Sequence, residues 1–439
     1  MTERNLANST NYEHPQESNL LNLHKAMEYN ASGSPILRTT LGAVASDAFG
    51  RLRTSSPFTL FDSFHRYQDN GLVNQTTTGT ASSSHSVTEG CVTMTIGGAA
   101  GDKIYRESSK VFAYQPGKAL CVLQTFCMAP AAAGLRQRQG YFDDNNGIFI
   151  ERNGSEVSFN IRTTTYIGTP EIREQALQSQ WNIDPLDGTG PSGKVLNLDA
   201  TLIMFFDIEW LGVGSVRCGF VIDAAYIPVH VFHHSNRAGE VHPYMATACL
   251  PVRAELENIS ATSVASHYKL ICTSILSEGG YEIRGRSQSV GHPLNAHYTL
   301  SSSNTVYPIL TMRLKSSRLG AIVLPRNFTI GISAAANFRY TVVIGGTTSG
   351  TGSWVDAGSA SSVEYKLNQT SITGGRVVEV GYINSSNQAS VSPSLEGFPF
   401  QYQLERNSFT GTTVEFTICL ESDGNNIKSW CSINWEDLT

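Results

Sequence analysis

Charged residues are scarce in this chain. Asp, Glu, Lys and Arg make up only 15% of its 439 residues, against about 25% in an average globular domain, and the formal net charge is −6. This balance does not fit a nucleic-acid-binding protein, which needs basic side chains to contact phosphates. Glycine (39 residues) and hydroxyl side chains take the place of charge, which is typical of β proteins with many turns.

No apolar run is long enough to cross a membrane. The longest, residues 200–214, is interrupted by Asp207 and Glu209 and is shorter than the ~20 residues that a transmembrane helix needs. The first residues also lack the apolar segment of a signal peptide. We therefore expect a protein made in a cytoplasm, with no membrane insertion.

Motifs for metals, cofactors and nucleophiles are absent. The eight cysteines form no CxxC pair and no zinc-like spacing, and most lie in apolar strand patterns, so we expect reduced, buried thiols. The chain has no HExxH, no GxSxG and no GxxxxGK(S/T). The sequence therefore predicts no cofactor, no metal and no catalytic residue, and hence a protein that is not an enzyme.

Alternation of apolar and polar residues begins near residue 86 and continues almost to the end of the chain. Gly-containing turns such as Asn153-Gly154 separate the runs, and a break at residues 284–295 divides them into two series. The pattern predicts an all-β protein with an N-terminal arm (1–56) and two antiparallel β-sandwiches (57–285 and 286–439). Short helices are predicted only at residues 19–29 and 169–181.

Four histidines cluster at His230, His233, His234 and His242. Imidazoles in this number could bind a metal. On a strand, however, His230 and His234 share one face and His233 points to the other, which favours a structural role.

Two oxygen-rich loops could hold calcium, at residues 143–146 and 184–188. Neither matches the twelve-residue calcium loop, and Asp, Asn and Gly are ordinary turn residues. Turn formation is the favoured interpretation.

Asp207 and Glu209 alternate on one predicted strand and so share a face. Glycosidases use two carboxylates across a cleft, so a glycan-cleaving site is one hypothesis. Acidic residues on the solvent face of a half-buried strand are common, and this alternative is favoured.

A dense block, DAFGRLRTSSPFTLFDSFHRYQDN, occupies residues 47–70, where the polar arm meets the first strands. Arg and Phe are frequent anchors of protein interfaces. The block therefore predicts an assembly interface; an edge strand with Phe58 and Leu60 packed inward is the alternative. The candidate interface residues are Phe49, Arg51, Arg53, Phe58, Phe61 and Asp62.

The segment AFGRLRTSSPFTLFDSFHRY resembles a motif of structural proteins of tailed bacteriophages, especially those of marine hosts. The resemblance continues in order to about residue 258, through YQPGKALCVLQTF, QRQGYFDDNNGIFIERNG, QSQWNIDPLDGTGPSG, FFDIEWLGVGSVRCGFVID, VHVFHHSN and ACLPVRAELEN. It implies a virion component whose first sandwich, 57–285, has a jelly-roll or lectin-like fold. It carries no catalytic residue.

The resemblance also implies partners. These are other virion proteins, bound through the arm, and further copies of the chain in a homo-oligomer such as a trimer. The first hypothesis is an appendage protein of a tail fibre, baseplate or head fibre that contacts a host-surface glycan. A capsid decoration (cement) protein and a carbohydrate-binding or glycan-degrading module are the alternatives.

Overall fold

The computed structural model describes residues 27–29, 35–37, 56–262, 265–385, 389–391, 393, 395 and 399–438. Every regular element in this part is a strand or a short 3₁₀ helix, and the strands of its sheets pair antiparallel. The all-β prediction is confirmed. Within the same residues, no helix has the length and apolarity needed to cross a membrane.

The first unit of the chain, Met1–Ser55, contains strands β1 (Met27–Tyr29) and β2 (Pro35–Leu37), which pair with each other. The predicted helix at 19–29 is wrong at its end, because these last three residues form β1. Its other residues lie outside the described part of the chain.

Two large sheets open the second unit, Ser56–Thr439. Their strands are β3 (Phe58–Phe64), β4 (Val73–Thr78), β5 (Ser82–Ser86), β6 (Cys91–Ile96), β7 (Lys103–Ser108), β8 (Ala119–Cys127), β9 (Leu135–Phe142), β10 (Gly147–Asn153), β11 (Glu156–Thr163), β12 (Glu171–Leu177), β13 (Leu202–Ile208), β14 (Val216–Ile222), β15 (Ala225–Phe232), β16 (Val252–Asn258) and β17 (Ser266–Glu278). The seven-stranded sheet has the order β12-β11-β10-β9-β16-β7-β4. The eight-stranded sheet has the order β15-β14-β13-β8-β17-β6-β5, and β3 also pairs with β17.

The core of this sandwich lies between the two sheets. Alternate side chains of each sheet point inward, such as Phe159 on β11 and Phe206 on β13, whose ring centroids are 5.9 Å apart. The side chains between them point to the opposite face of each sheet.

The predicted helix at residues 169–181 is wrong. Residues Glu171–Leu177 form β12, which pairs with β11, and only Gln178–Gln180 is a 3₁₀ helix. The local preference of Glu, Arg, Gln and Ala for helix is overridden because this backbone completes the edge of the seven-stranded sheet and buries Ala176.

The later strands are β18 (Arg286–Gly291), β19 (Tyr298–Leu300), β20 (Tyr307–Leu314), β21 (Val323–Ile332), β22 (Ala336–Ile344), β23 (Thr347–Gly350), β24 (Val355–Asp356), β25 (Val363–Leu367), β26 (Gln369–Thr373), β27 (Arg376–Ser385), β28 (Ala389–Val391), β29 (Arg406–Asn407), β30 (Thr412–Thr413), β31 (Phe416–Ser422) and β32 (Ile427–Asp437). A five-stranded sheet, β18-β32-β21-β28 with β19 beside β32, and a six-stranded sheet, β24-β25-β20-β31-β22-β27, enclose a second core. Short 3₁₀ helices are found at Ser316–Arg318 and Pro399–Tyr402.

The two sandwiches contact each other through buried polar groups. Lys110 Nζ donates to the carbonyl oxygens of Phe400 and Gln401, both at 3.0 Å, and Arg406 Nη1 lies 2.9 Å from Glu107. These contacts join residues from both sides of position 285, so the division into separate domains there stays a prediction.

Candidate functional site

The outer face of the eight-stranded sheet brings charged side chains of three strands together. Phe206 of β13 points into the core, so the next residue, Asp207, points outward. The strand register places Arg217 of β14 opposite Asp207, and Ala119 of β8 opposite Glu278 of β17. Cross-strand partners share a face of the sheet, so these side chains surround one area.

This area is a pocket of about 270 Å³, which we name the acid pocket. Three carboxylates, two cationic side chains and a tyrosine meet in it. Its lining residues are Tyr114, Gly117, Lys118, Ala119, Asp207, Glu209, Leu211, Ser215, Arg217, Val231 and Glu278. Asp207 and Glu209, which were predicted to share a strand face, both line this pocket, although β13 ends at Ile208 and Glu209 lies in the loop that follows it.

Two carboxyl groups of the acid pocket are harder to ionise than usual. Burial raises the pKa of Asp207; the charge of Glu209 adds to this effect, and Arg217, which donates to Asp207 at 2.7 Å, only partly opposes it. Burial also raises the pKa of Glu278, and the charge of Asp207 adds to it. Shifts of this kind are frequent at functional sites.

The loop between β13 and β14 positions Glu209. The Glu209 amide donates to the Ser215 carbonyl oxygen at 3.0 Å, and the Gly214 amide donates to the Trp210 carbonyl oxygen at 2.7 Å. A Cβ atom on Gly214 would lie 1.8 Å from the carbonyl oxygen of Glu209, so this turn closes only with glycine.

The candidate interface residues are divided between described and undescribed parts of the chain. Phe49, Arg51 and Arg53 lie outside the described residues. Phe58, Phe61 and Asp62 are in β3, which among the described strands pairs only with β17.

Within β3, the two phenylalanines pack inside the chain. The Phe61 ring lies 4.8 Å from that of Phe112, and Phe58 packs against Tyr281 and Phe400 at 5.8 and 5.9 Å between centroids. Asp62 is exposed. The inward packing matches the edge-strand alternative, while an assembly role for the block stays a prediction.

The histidines follow the alternation expected of a strand. His230 and His234 are buried and His233 is exposed. His234 stacks on Tyr244, with centroids 3.9 Å apart, and His242 packs edge-on against Tyr166. The part of the chain that the structure describes contains no group of three or more His, Cys, Asp or Glu able to hold a metal ion.

Both oxygen-rich loops form turns. Asp143 Oδ1 accepts from the amides of Asn145 and Asn146 at 2.7 Å, and Asp187 Oδ1 accepts from the Thr189 amide at 2.8 Å. These aspartates bond the backbone two or three residues further on, as turn residues do.

All eight cysteines are free thiols, and five are buried. Burial raises the pKa of Cys121 and Cys419 to about 12, so both stay protonated and pack as small apolar side chains. Cys272 differs from the expectation, because it is exposed on the outer face of the eight-stranded sheet.

Sequence reasoning missed three residues of the acid pocket. Tyr114 precedes β8, Arg217 follows Asp207 by ten positions, and Glu278 is 71 positions beyond Asp207. Only the pairing of β13 with β14 and β8, and of β8 with β17, brings them to Asp207. A charged residue at the end of an otherwise apolar strand, as in TSILSE, is the available local signal for Glu278.

No family model matches this sequence, and no curated protein matches it.

Solved structures with a similar fold include the CBM2 module of the evolved Dit of Lactobacillus casei BL23 phage J-1. The match has 7% identity and a TM-score of 0.34, and it covers 52% of this chain and 100% of that chain. Arcelin-5, a lectin-like defence protein from Phaseolus vulgaris, has 10% identity, coverage of 51% and 100%, and a TM-score of 0.30. The Bacillus licheniformis β-glucanase has 12% identity, coverage of 51% and 99%, and a TM-score of 0.29. Scores at this level assign no function to the chain.

Proposed function

We propose that this protein is a structural component of a bacteriophage virion, within an appendage, and that its acid pocket binds a glycan of the host surface. The sequence segments that line the pocket support this proposal. Apart from Glu278, every lining residue belongs to one of three blocks that resemble phage structural proteins, at residues 114–126, 205–223 and 229–236. The segments that mark the resemblance are thus the ones that build the pocket.

The chemistry of the acid pocket suits sugar hydroxyl groups, which both donate and accept hydrogen bonds. Asp207, Glu209 and Glu278 offer carboxyl oxygens as acceptors, and Lys118 and Arg217 are donors. Binding sites combine a few such convergent polar groups with apolar surface.

Apolar surface lies beside the acid pocket on the same sheet face. A neighbouring groove is lined by Phe64, Leu123, Ile203, Val221 and Tyr226, among others. Phe64 and Tyr226 are 60% and 62% exposed. Rings with this exposure can stack on the apolar faces of sugar units that extend beyond the pocket.

The binding role is tested with the full chain on a glycan microarray, followed by calorimetric titration of the glycans that bind. Asp207→Asn should weaken binding about tenfold or more, because it removes an ionisable group from the pocket. Asp223→Asn is the matched control, since it removes a carboxylate from an exposed turn of the same sheet. Equal binding by the two variants would remove the acid pocket from the proposal.

Glycan cleavage is the second candidate function, because Asp207 and Glu209 line one pocket as a pair of glycosidase carboxylates would. We propose binding without cleavage. Incubation of the protein with each bound glycan, and measurement of new reducing ends, separates the two. Release of reducing ends that is lost in Glu209→Gln would establish a hydrolase instead.

The virion role is tested through the arm. We expect a chain without residues 1–46 to fold and to be missing from purified particles, as measured by quantitative mass spectrometry. Arg51→Ala with Arg53→Ala should also reduce incorporation while leaving the free energy of unfolding nearly unchanged. Normal incorporation of both variants would refute anchoring by the arm, and a copy number equal to that of the capsid subunits would favour the decoration alternative.

A further inference from the structure

A second cavity lies where the edges of the two sheets of the first sandwich approach each other. It is an open cleft of about 650 Å³ between β12, the edge strand of the seven-stranded sheet, and β15, the edge strand of the eight-stranded sheet. We name it the edge cleft. Its lining residues are Arg173, Glu174, Gln175, Ala176, Gln180, Asn182, His230, Val231, Phe232, His233 and Arg237.

His230 presents an unused donor to the edge cleft. The side chain is 8% exposed, and its Nδ1 accepts the Asn182 amide at 3.3 Å. Burial lowers the pKa of His230 to about 4, so the ring is neutral near pH 7 and its single proton is on Nε2. Among the described residues, Nε2 has no hydrogen-bond partner, so it is available to a ligand.

The carboxylate of the edge cleft is already engaged. Glu174 lies 3.0 Å from His234 Nε2 and 3.3 Å from Arg237 Nη1. Arg237 also donates to the His233 carbonyl oxygen at 2.8 Å. These groups neutralise each other and leave Glu174 little capacity to accept from a ligand.

Arg173, by contrast, has capacity to donate. Its guanidinium lies over the Tyr166 ring, 4.0 Å from the centroid, and its contact with Glu240 is 3.6 Å, longer than a hydrogen bond. The lining therefore contains two guanidinium groups and one carboxylate, and Glu240, which is outside the lining, balances part of this charge through its ion pair with Arg173. A guanidinium held in this way binds a carboxylate through two parallel hydrogen bonds.

Closure of the sandwich edge does not account for these two donors. The Asn182 side chain already pairs with the backbone of Val231, donating to its oxygen and accepting from its amide at 2.9 Å each. Glu174 and His234 connect β12 to the end of β15. These contacts at the edge of β15 use neither His230 Nε2 nor Arg173.

We propose that the edge cleft binds an acidic monosaccharide unit, whose carboxylate pairs with Arg173 and whose ring or hydroxyl oxygen accepts from His230 Nε2. The cavity volume is within the ~300–1,000 Å³ of small-ligand sites. Gln175 and Gln180, which also line the cleft, provide amide groups for the remaining hydroxyls. The inference does not depend on glycan binding in the acid pocket, because it uses other side chains.

The test is a calorimetric titration of the full chain with glucuronate, with glucose and with inorganic phosphate, each at pH 7. We expect saturable binding of glucuronate and none of glucose. Arg173→Gln and His230→Phe should each weaken glucuronate binding about tenfold or more. Lys194→Gln is the matched control, since it removes an exposed cation elsewhere on the first sandwich, and it should bind as the unaltered chain does.

Three results would overturn the proposal. They are equal binding of glucose and glucuronate, unchanged glucuronate binding in Arg173→Gln, and displacement of glucuronate by phosphate at similar concentration, which would indicate a general anion site. Arg173 is 40% exposed in its side chain, so its variant should fold even where His230→Phe does not.

Discussion

The acid pocket and the edge cleft are neighbours that are lined by different charged groups. Val231 lines both, and Ser215 Oγ of the acid pocket lies 3.2 Å from His233 Nδ1 of the edge cleft. Three carboxyl groups and two cations line the acid pocket, whereas two guanidinium groups and one carboxylate line the edge cleft and Glu240 pairs with Arg173 beside it.

The two sites also shift their carboxyl groups in opposite directions. In the acid pocket, burial and a neighbouring acid raise the pKa of Asp207. In the edge cleft, burial opposes ionisation of Glu174, but the His234 and Arg237 contacts outweigh it and hold the pKa of that carboxyl below its ordinary value. Burial is the largest single influence on the pKa of both carboxyl groups, and the neighbouring contacts together outweigh it only at Glu174.

Replacement of Gly214 should have the largest effect on stability and binding, because this residue contributes to both the acid pocket and the edge cleft. Its close approach to the Glu209 backbone shapes the acid pocket, and its carbonyl oxygen lies 2.6 Å from His234 Nδ1 beside the edge cleft. Gly214→Ala should lower the free energy of unfolding by about 3 kcal/mol through backbone overlap. It should also weaken glucuronate binding and glycan binding together; urea denaturation and calorimetry measure these effects.

Gly320→Ala is the control for this change. Its added Cβ would meet no heavy atom within 4 Å, so we expect unchanged stability and binding. If Gly214→Ala matched that control in stability and in both binding measurements, the loop would not couple the two sites.

Glu174→Gln should produce the next largest effect, confined to the edge cleft. It leaves Arg237 and His234 without their carboxylate, so we expect stability at pH 7 to fall by about 2 kcal/mol. Because the folded pKa of Glu174 is lowered, its contribution is present above the ordinary value of 4.5 and is lost as the pH falls through the folded pKa. The difference in stability between the unaltered protein and Glu174→Gln, measured by urea denaturation, should therefore shrink in acid.

Glu156→Gln, at an exposed position of β11, is the control and should show no such difference. A loss of stability in Glu174→Gln that did not depend on pH would point to packing instead.

Much of the fold could be predicted from local sequence, whereas the sites could not. Alternation and turn residues predicted the strands. The helix predicted at residues 169–181 failed, because the preference of these residues was overridden by pairing with β11. The sites depend on such pairing throughout.

Long-range register decides which charges meet. Nothing near Asp207 in the sequence indicates that β8 separates it from Glu278, or that β14 supplies Arg217 as its partner. In the same way, the sequence places His230 in a histidine cluster but does not show which ring nitrogen is free. That depends on the backbone amide of Asn182, 48 positions away, which donates to Nδ1 and leaves Nε2 as the donor.

Asp207→Asn should give the smallest effect, and its sign should be opposite to that of Glu174→Gln. The folded pKa of Asp207 is raised above 3.8, so the folded state binds this proton more tightly than the unfolded state does, and stability falls as the pH rises through the folded pKa. Removing the charge should therefore stabilise the protein near pH 7, by up to about 1 kcal/mol after solvent screening, and should make no difference well below pH 3.8. Urea denaturation at both pH values measures this. If Asp207→Asn instead destabilised the protein at pH 7, the ion pair with Arg217 would outweigh burial and the charge of Glu209, and the two sites would stabilise their carboxylates in the same way.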